Sequence, residues 1–226
     1  MSELEKDLRQ LLLKGTEYMS VTLEETQVEK LLIYIREFEK WNKAYNLSAV
    51  RDIREMVKRH LLDSLSVVPY FQQTEHCTDR VLDAGTGGGL PGIPLAIVFP
   101  EKQFTLLDSN GKKTRFLFHI KTLLQLDNVT IENNRAENFN PLQKCNVIIS
   151  RAFSSLQDMV ENCEHLLVEN GVFMAMKGLF PADEIKTIAS KIKILETIKL
   201  NVAETDGERH LLILQTSIVN LQIKNT

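Results

Sequence analysis

The sequence predicts an α/β fold: a seven-stranded, mostly parallel sheet ending in a C-terminal antiparallel hairpin, preceded by a helical N-terminal extension. Three observations point to it. From residue 80 onward, short apolar runs alternate with helical patterns. Near-continuous apolar strands separated by helices form a parallel sheet that is buried on both faces. A glycine-rich turn, Gly85–Gly89, joins the first of these strands to the first of these helices. The C-terminal end instead carries two β-rich runs joined by a short polar loop, which suits an antiparallel pair.

The elements follow in order. Residues 23–40 place Leu23, Val28, Leu31, Leu32, Ile35 and Phe38 near helical spacing, and residues 52–65 do the same with Ile53, Met56, Val57, His60, Leu61 and Leu65. Trp41–Leu47 reads as a polar-aromatic connection between them. Pro69 and the polar run Gln72–Glu75 are expected to end the helical part. Strands are predicted at 80–84, 103–108, 129–132, 145–150 and 172–176, with helices at 91–99, 111–126, 155–168 and 181–192. Pro91 suits a first helical position, Pro94 still lies in the first turn, and Pro100 ends that helix. Residues 194–203 and 210–217 form the hairpin across Glu204–Arg209. The expected division is a helical extension over 1–75 packed on a sheet domain over 76–226.

With 226 residues, 43% hydrophobic and 25% charged, the chain is long enough for one α/β domain and a small accessory element. No run approaches the roughly 18 apolar residues of a membrane helix. The N-terminus shows no basic start followed by an apolar stretch, so no secretory signal is read and a cytoplasmic protein without a membrane partner is expected. Cys77, Cys145 and Cys163 are widely spaced and suggest neither a disulfide framework nor a metal site. The net charge of -3 argues against an obvious nucleic-acid binder. The charge is uneven, however. The first 30 residues are acid-rich, whereas residues 110–126 carry Lys112, Lys113, Arg115 and Lys121 and no acid. Those cations either form a basic face or merely solvate a helix.

Val81–Pro94 holds the most informative pattern. A strand ending in Asp83 runs into Gly85, Gly87 and Gly89 and then a helix. Glycine permits positive φ and the close approach of a ligand to the backbone. Gly87, Gly89 and Gly92 also spell a dinucleotide fingerprint. Its register is wrong, because the first glycine after the strand is Gly85 and Gly92 falls inside the helix. Asp-x-Gly-x-Gly-x-Gly is instead the usual first motif of class I methyltransferases, whose Rossmann-like architecture matches the strand pattern. On that reading the cofactor is S-adenosyl-L-methionine and Asp83 orients the loop or reaches the cofactor amino group through water. Asp108 follows Gly89 by 19 residues at the end of the second strand. An acid there hydrogen-bonds ribose hydroxyls, or else caps the next helix. Arg135–Phe139 follows the third strand, where such folds contact adenine, although Glu137 alternatively is a solvated acid.

Several segments resemble one family closely. They are Lys40–Leu47, Arg59–Ser64, Asp83–Pro94, Leu106–Ser109, Ser150–Phe153 and Gly207–His210, in that order along the chain. The sequence is similar to the ribosomal RNA small subunit methyltransferase G family, also called the glucose-inhibited division protein B family. The resemblance implies methylation of guanine N7 in 16S rRNA, with free rRNA or the small ribosomal subunit as partner. A monomer is expected. It places cofactor contacts on Gly85, Leu90, Ala136, Glu137 and Arg151. One departure is Gly88, where many relatives have proline.

The segment Ser150–Phe153 also lacks the Asn/Asp-Pro-Pro-aromatic loop of enzymes that methylate exocyclic amines. Guanine N7 has a free lone pair and no proton, so alignment rather than a general base would supply the acceleration. Arg151 is then the candidate for positioning substrate and cofactor. Phe153 is expected either to stack on the base or to belong to the core. Lys112, Lys113 and Arg115 are the candidate RNA contacts, and Trp41 and Tyr45 read as core residues before base platforms. The rival readings are a small-molecule methyltransferase of the same fold, which would need a lid, and a non-catalytic ribosome-assembly factor, which would not need Asp83, the glycines and Asp108.

Overall fold

Alternating residues of the central strands point to two separate apolar layers, and this fixes the architecture. The computed structural model describes residues 2–73, 79–153, 155–188, 192–203 and 207–216. Parallel strands β1 (Arg80–Ala84), β2 (Gln103–Leu107), β3 (Val129–Glu132), β4 (Cys145–Ser150) and β5 (Leu167–Lys177) are joined to β6 (Ile192–Lys199) and β7 (His210–Thr216). Their order is β3-β2-β1-β4-β5-β7-β6, with β7 antiparallel to both β5 and β6. In register, Asp83 lies between Leu106 and Ile149.

Val81, Phe104, Leu106, Val147 and Ile149 face a layer built from α6 (Gly92–Val98), α7 (Gly111–Leu124) and the N-terminal helices. Leu82, Leu107, Ile148 and Phe173 face the other layer, made by α8 (Leu156–Cys163) and α9 (Ala182–Ile188). This alternation is the period of two that a pleated strand imposes. Cys145 and Cys163 are buried free thiols. Cys77, the loop residues 204–206 and the expected division between 75 and 76 lie outside the described residues.

The N-terminal region comprises α1 (Glu3–Tyr18), α2 (Glu25–Tyr45), α3 (Ile53–Met56), a π-helical turn (Val57–Leu62), α4 (Asp63–Leu65) and α5 (Val68–Gln73). Ser2 and Glu5 form a reciprocal cap for α1, which satisfies amides that would otherwise be orphaned. Two expectations are corrected here. Trp41–Tyr45 is not a connection but the last turn of α2. Trp41 continues the apolar stripe and packs on Phe116, and the helix stops only at Asn46, whose φ is 52°. Pro69 does not end the helical part either. It sits in the first turn of α5, where a missing amide hydrogen costs nothing. Elsewhere the bounds move by a few residues. β5 starts at Leu167, five residues before its predicted start, and β2 stops at Leu107, leaving Asp108 just beyond the strand. Among the described residues, no helix is long and apolar enough to cross a membrane.

Candidate active site

The strand order reverses between β1 and β4, and ligands of open α/β sheets bind beyond the carboxyl ends at such a switch point. The loops following β1 to β4 converge there on a cleft of about 290 Å³, bordered by Gly85, Asp108, Lys113, Ala136, Glu137 and Phe153.

Asp83 governs the first loop from beneath. It is fully buried, and its Oδ2 accepts from the Thr86 hydroxyl at 2.6 Å and from the Gly92 amide at 2.8 Å. The Gly85 and Thr86 amides donate to the Leu107 carbonyl at 2.9 and 3.0 Å, tying the turn to the end of β2. Gly85, with φ of 70°, takes a conformation that L side chains rarely adopt, and a Cβ there would lie 2.8 Å from that of Ala152. Burial raises the Asp83 carboxyl to about 6, against the lowering effect of the Thr86 and Gly92 hydrogen bonds and of Arg151. Its Oδ1 is buried without a protein partner.

Asp108 links two loops. Its Oδ2 accepts from the Gly87 amide at 2.9 Å and its Oδ1 from the Asn110 amide at 2.8 Å, while Lys113 Nζ lies 3.7 Å from Oδ2. The cap of α7 is Asn110, whose side chain accepts from the Lys112 amide at 2.9 Å. This corrects the alternative in which Asp108 caps that helix. Asn133 then donates to the Asp108 carbonyl at 2.9 Å and leads into the 3₁₀ turn Ala136–Asn138. Glu137 stands at the cleft with Arg135 3.8 Å away. On the β4 side, the Ser150 hydroxyl donates to the Ala84 carbonyl at 2.7 Å and accepts from the Ala152 amide at 3.1 Å, which fixes the segment that carries Phe153.

The structure therefore brings Gly85, Asp108, Ala136, Glu137, Lys113 and Phe153 to one cleft, with Asp83 beneath it and Gly87 bonded to Asp108. Four other expected residues stand apart. Leu90 is half-buried against the apolar layer shared with the N-terminal helices. Lys112 and Arg115 are exposed on the outer side of α7. Arg151 faces a neighbouring hollow, also of about 290 Å³, together with Asp63, Met176, Lys177, Leu200 and Arg209. There the buried Asp63 carboxylate is held by Arg151 at 3.1 Å and by Arg209 at 2.9 Å. Arg151 also donates to the Ser64 hydroxyl and to the Arg59 carbonyl, each at 3.3 Å. Asp63 and Arg209 were not singled out as site residues by sequence. The available signal was an acid inside the apolar stretch Leu61–Leu65, since acids are almost never fully buried unpaired.

The N-terminal helices reach the glycine turn directly. The Tyr34 hydroxyl donates to the Gly88 carbonyl at 2.7 Å, and the Phe38 ring fills the space that a side chain at position 88 would need. His60 lies 5.2 Å from the Phe38 ring, with its Nε2 2.9 Å from the Ser48 hydroxyl, and burial lowers its pKa to about 4. Trp41 stacks between Tyr45 and His119 at 5.1 and 5.2 Å. It packs against the core, whereas Tyr45 is 42% exposed.

Comparison with known proteins converges on one family. The profile of the rRNA small subunit methyltransferase G family matches residues 27–212. A ribosomal RNA small subunit methyltransferase G of Cellvibrio japonicus is 66% identical over 215 residues, covering 95% of this chain and 98% of that protein. Its counterpart in Ectopseudomonas mendocina is 51% identical over 207 residues, covering 92% and 95%. Among solved structures, a SAM-dependent methyltransferase of Leishmania major superposes with a TM-score of 0.59 at 13% identity, covering 80% of this chain and 83% of that one. At that identity the likeness speaks for the fold alone.

Proposed function

The chain belongs to the rRNA small subunit methyltransferase G family, and from that premise we propose that it methylates N7 of a guanine in 16S ribosomal RNA. The observation that carries this reading is the cleft at the β1–β4 switch, where Asp108 is bonded to the glycine turn and faces the loop of Ala136 and Glu137. The methyl donor is S-adenosylmethionine, and the residues present fit it. The Asp108 carboxylate at the cleft offers an acceptor for ribose hydroxyls, Gly85 presents backbone without a side chain to the same cleft, and the buried Asp83 holds that turn from beneath. Bound in such a cleft, S-adenosylmethionine supplies a methyl group activated by a sulfonium.

The protein's part is positioning. Asp83 and Thr86 hold the turn in its ligand-receiving shape, and Asp108 sets the distance between the first two loops. Guanine N7 has no proton to remove, so the chain needs no general base. Burial keeps His60, which packs on the Phe38 ring beside the glycine turn, neutral above about pH 4, and its Nε2 is occupied with Ser48. On this reading Phe153, which borders the cleft and packs against the second apolar layer, stacks on the acceptor base, Arg151 orients the substrate from the neighbouring hollow, and Lys112, Lys113 and Arg115 hold RNA phosphates. We take the protein to act as a cytoplasmic monomer, with the helices of residues 1–75 as an extension that braces the glycine turn of the domain over 76–226.

The test uses labelled S-adenosylmethionine with 16S rRNA and with small subunits, both from a strain lacking this methylation. Label should enter 16S rRNA at a single guanine and make that site sensitive to reduction and aniline cleavage, as N7-methylguanine is. Label on a small molecule of the extract and none on RNA would assign the chain to the small-molecule alternative.

A further inference from the structure

A buried carboxylate requires one cation to neutralise it. Asp63, only 4% exposed, has two, and they arrive from distant parts of the chain. Arg151 follows β4 and contacts Oδ2 at 3.1 Å, while Arg209 precedes β7 and contacts Oδ1 at 2.9 Å. The π-helical turn Val57–Leu62 contributes to this meeting. A π turn inserts an extra residue into a helix and is frequent at functional sites. Here it puts the Arg59 carbonyl within 3.3 Å of Arg151 and delivers Asp63 directly after it. Three of the family-like segments, Arg59–Ser64, Ser150–Phe153 and Gly207–His210, thus meet at one point.

The triad carries a net positive charge at the rim of the hollow. Its floor is apolar, from Met176 and Leu200, and Lys177 at its side is committed to Glu184 at 3.0 Å. The partition from the cofactor cleft is the chain segment Arg151–Phe153, whose Phe153 carbonyl accepts from Lys177 at 3.3 Å. A surplus positive charge attracts an anion, and the guanidinium edge of Arg209 that is not spent on Asp63 and on the Glu208 carbonyl, at 2.8 Å, suits a phosphodiester oxygen.

We propose that the Arg151–Asp63–Arg209 triad is an RNA phosphate seat next to the methyl-acceptor site, with Arg209 contacting a phosphodiester adjoining the acceptor nucleotide. Asp63 is the positioning residue that holds both guanidinium groups at the rim, and the apolar floor receives the nucleoside portion. The inference rests on the reading that the acceptor is RNA.

The experiment measures binding of 16S rRNA to the full-length chain across a series of salt concentrations, with S-adenosylhomocysteine present, and separately measures S-adenosylhomocysteine affinity by calorimetry. Methylation by the unsubstituted protein is assayed first, so loss of the RNA reading as a whole shows up there, before any variant is compared. Arg209→Gln should weaken RNA binding about tenfold and flatten the salt dependence by about 0.7, the value for one phosphate contact to a single strand. S-adenosylhomocysteine affinity should stay within about twofold of the unsubstituted value. Arg209→Lys keeps the charge and loses the fork, so it should retain the salt slope and raise the KM for RNA. Unchanged RNA affinity and slope in Arg209→Gln would overturn the proposal and leave the triad a structural ion pair. A fall in S-adenosylhomocysteine affinity with RNA binding intact would also overturn it, by making the arginines a seat for the cofactor carboxylate. Should Arg209→Gln fail to fold, an unchanged RNA KM in Arg209→Lys would overturn it equally.

Discussion

Asp83 and Asp108 are both carboxylates at strand ends, and they play different roles because one is sealed and the other borders a cleft. Asp83 has two donors on one oxygen and none on the other, in a site without water access. Its pKa is raised from 3.8 to about 6, chiefly by burial. A carboxyl raised in this way favours the folded state while it is protonated, below the unfolded value, and that contribution is lost as pH rises through the folded value. At about 1.4 kcal/mol per unit, the loss amounts to roughly 3 kcal/mol. The neutral variant Asp83→Asn escapes it. Thermal melts from pH 4 to 8 should therefore show the stability of Asp83→Asn, relative to the native chain, rising between about pH 4 and 6 and level above. A difference independent of pH would mean that Asp83 is not ionising in the buried state. The same variant replaces the carboxylate that holds Thr86 and Gly92 with a weaker amide acceptor, so the turn loosens and cofactor affinity should fall at neutral pH. Asp108→Ala removes an acceptor that holds the Gly87 amide and borders the cleft. It should weaken S-adenosylhomocysteine binding by about tenfold to a hundredfold, the range for one hydrogen bond to a charged group. Normal affinity by calorimetry would restrict Asp108 to tying the two loops together.

Helix α2 connects the N-terminal extension to the glycine turn through a ring and a hydroxyl. Phe38 is fully buried and packs edge-on against Phe116 at 5.7 Å, so Phe38→Ala should cost about 3–5 kcal/mol by leaving a cavity. Gly88→Ala should cost about 1–3 kcal/mol by overpacking against the same ring. Combined, the two should cost clearly less than their sum, because the cavity accepts the added methyl. Additive losses in denaturant titrations would show that the turn and the helix are not in contact in solution. On α7, the structure divides the basic run that the sequence presents as a unit. Lys113 faces Asp108, while Lys112 and Arg115 are exposed. Replacing Lys112 and Arg115 together by glutamine should flatten the salt dependence of RNA binding by about 1.4, two single-strand contacts, with cofactor affinity unaltered. An unchanged slope would assign both to solvation. Strand periodicity, the glycine turn and the acid after β2 were legible in the sequence because each is a local pattern. The last turn of α2 was misread because polar residues flank Trp41 and Tyr45, although no glycine or proline breaks the helix. The π turn left no mark, since one extra residue in a turn scarcely disturbs an apolar stripe. The Asp63–Arg209 pair spans 146 residues, and no local spacing can announce a contact of that range.

At the scale of the whole molecule, the fold assembles a positioning device from loops that meet only when the sheet is complete. The site draws on the carboxyl ends of β1 to β4, on the segments flanking β7 and on the N-terminal helices. No single segment would show activity alone. This arrangement also sets the pH behaviour of the reaction. The acceptor nitrogen carries a lone pair and no proton at neutral pH, so the chemical step requires alignment and no proton abstraction. Three buried groups beside the glycine turn have a clearly displaced ionisation: His60, lowered to about 4, Asp83, raised to about 6, and Tyr34, whose hydroxyl burial pushes well above its usual value. None of the three has its midpoint between about pH 6.5 and 9. Single-turnover methylation, with enzyme in excess over small subunits, should therefore be nearly level from about pH 6.5 to 9. Below about pH 6 the rate or the cofactor affinity should fall as Asp83 takes up a proton and its hold on Thr86 and Gly92 weakens. Asp83→Asn should lose that acid limb even where its overall rate is lower. A native rate that climbs about tenfold per pH unit between 6.5 and 9 would reveal a catalytic base and refute the positioning mechanism.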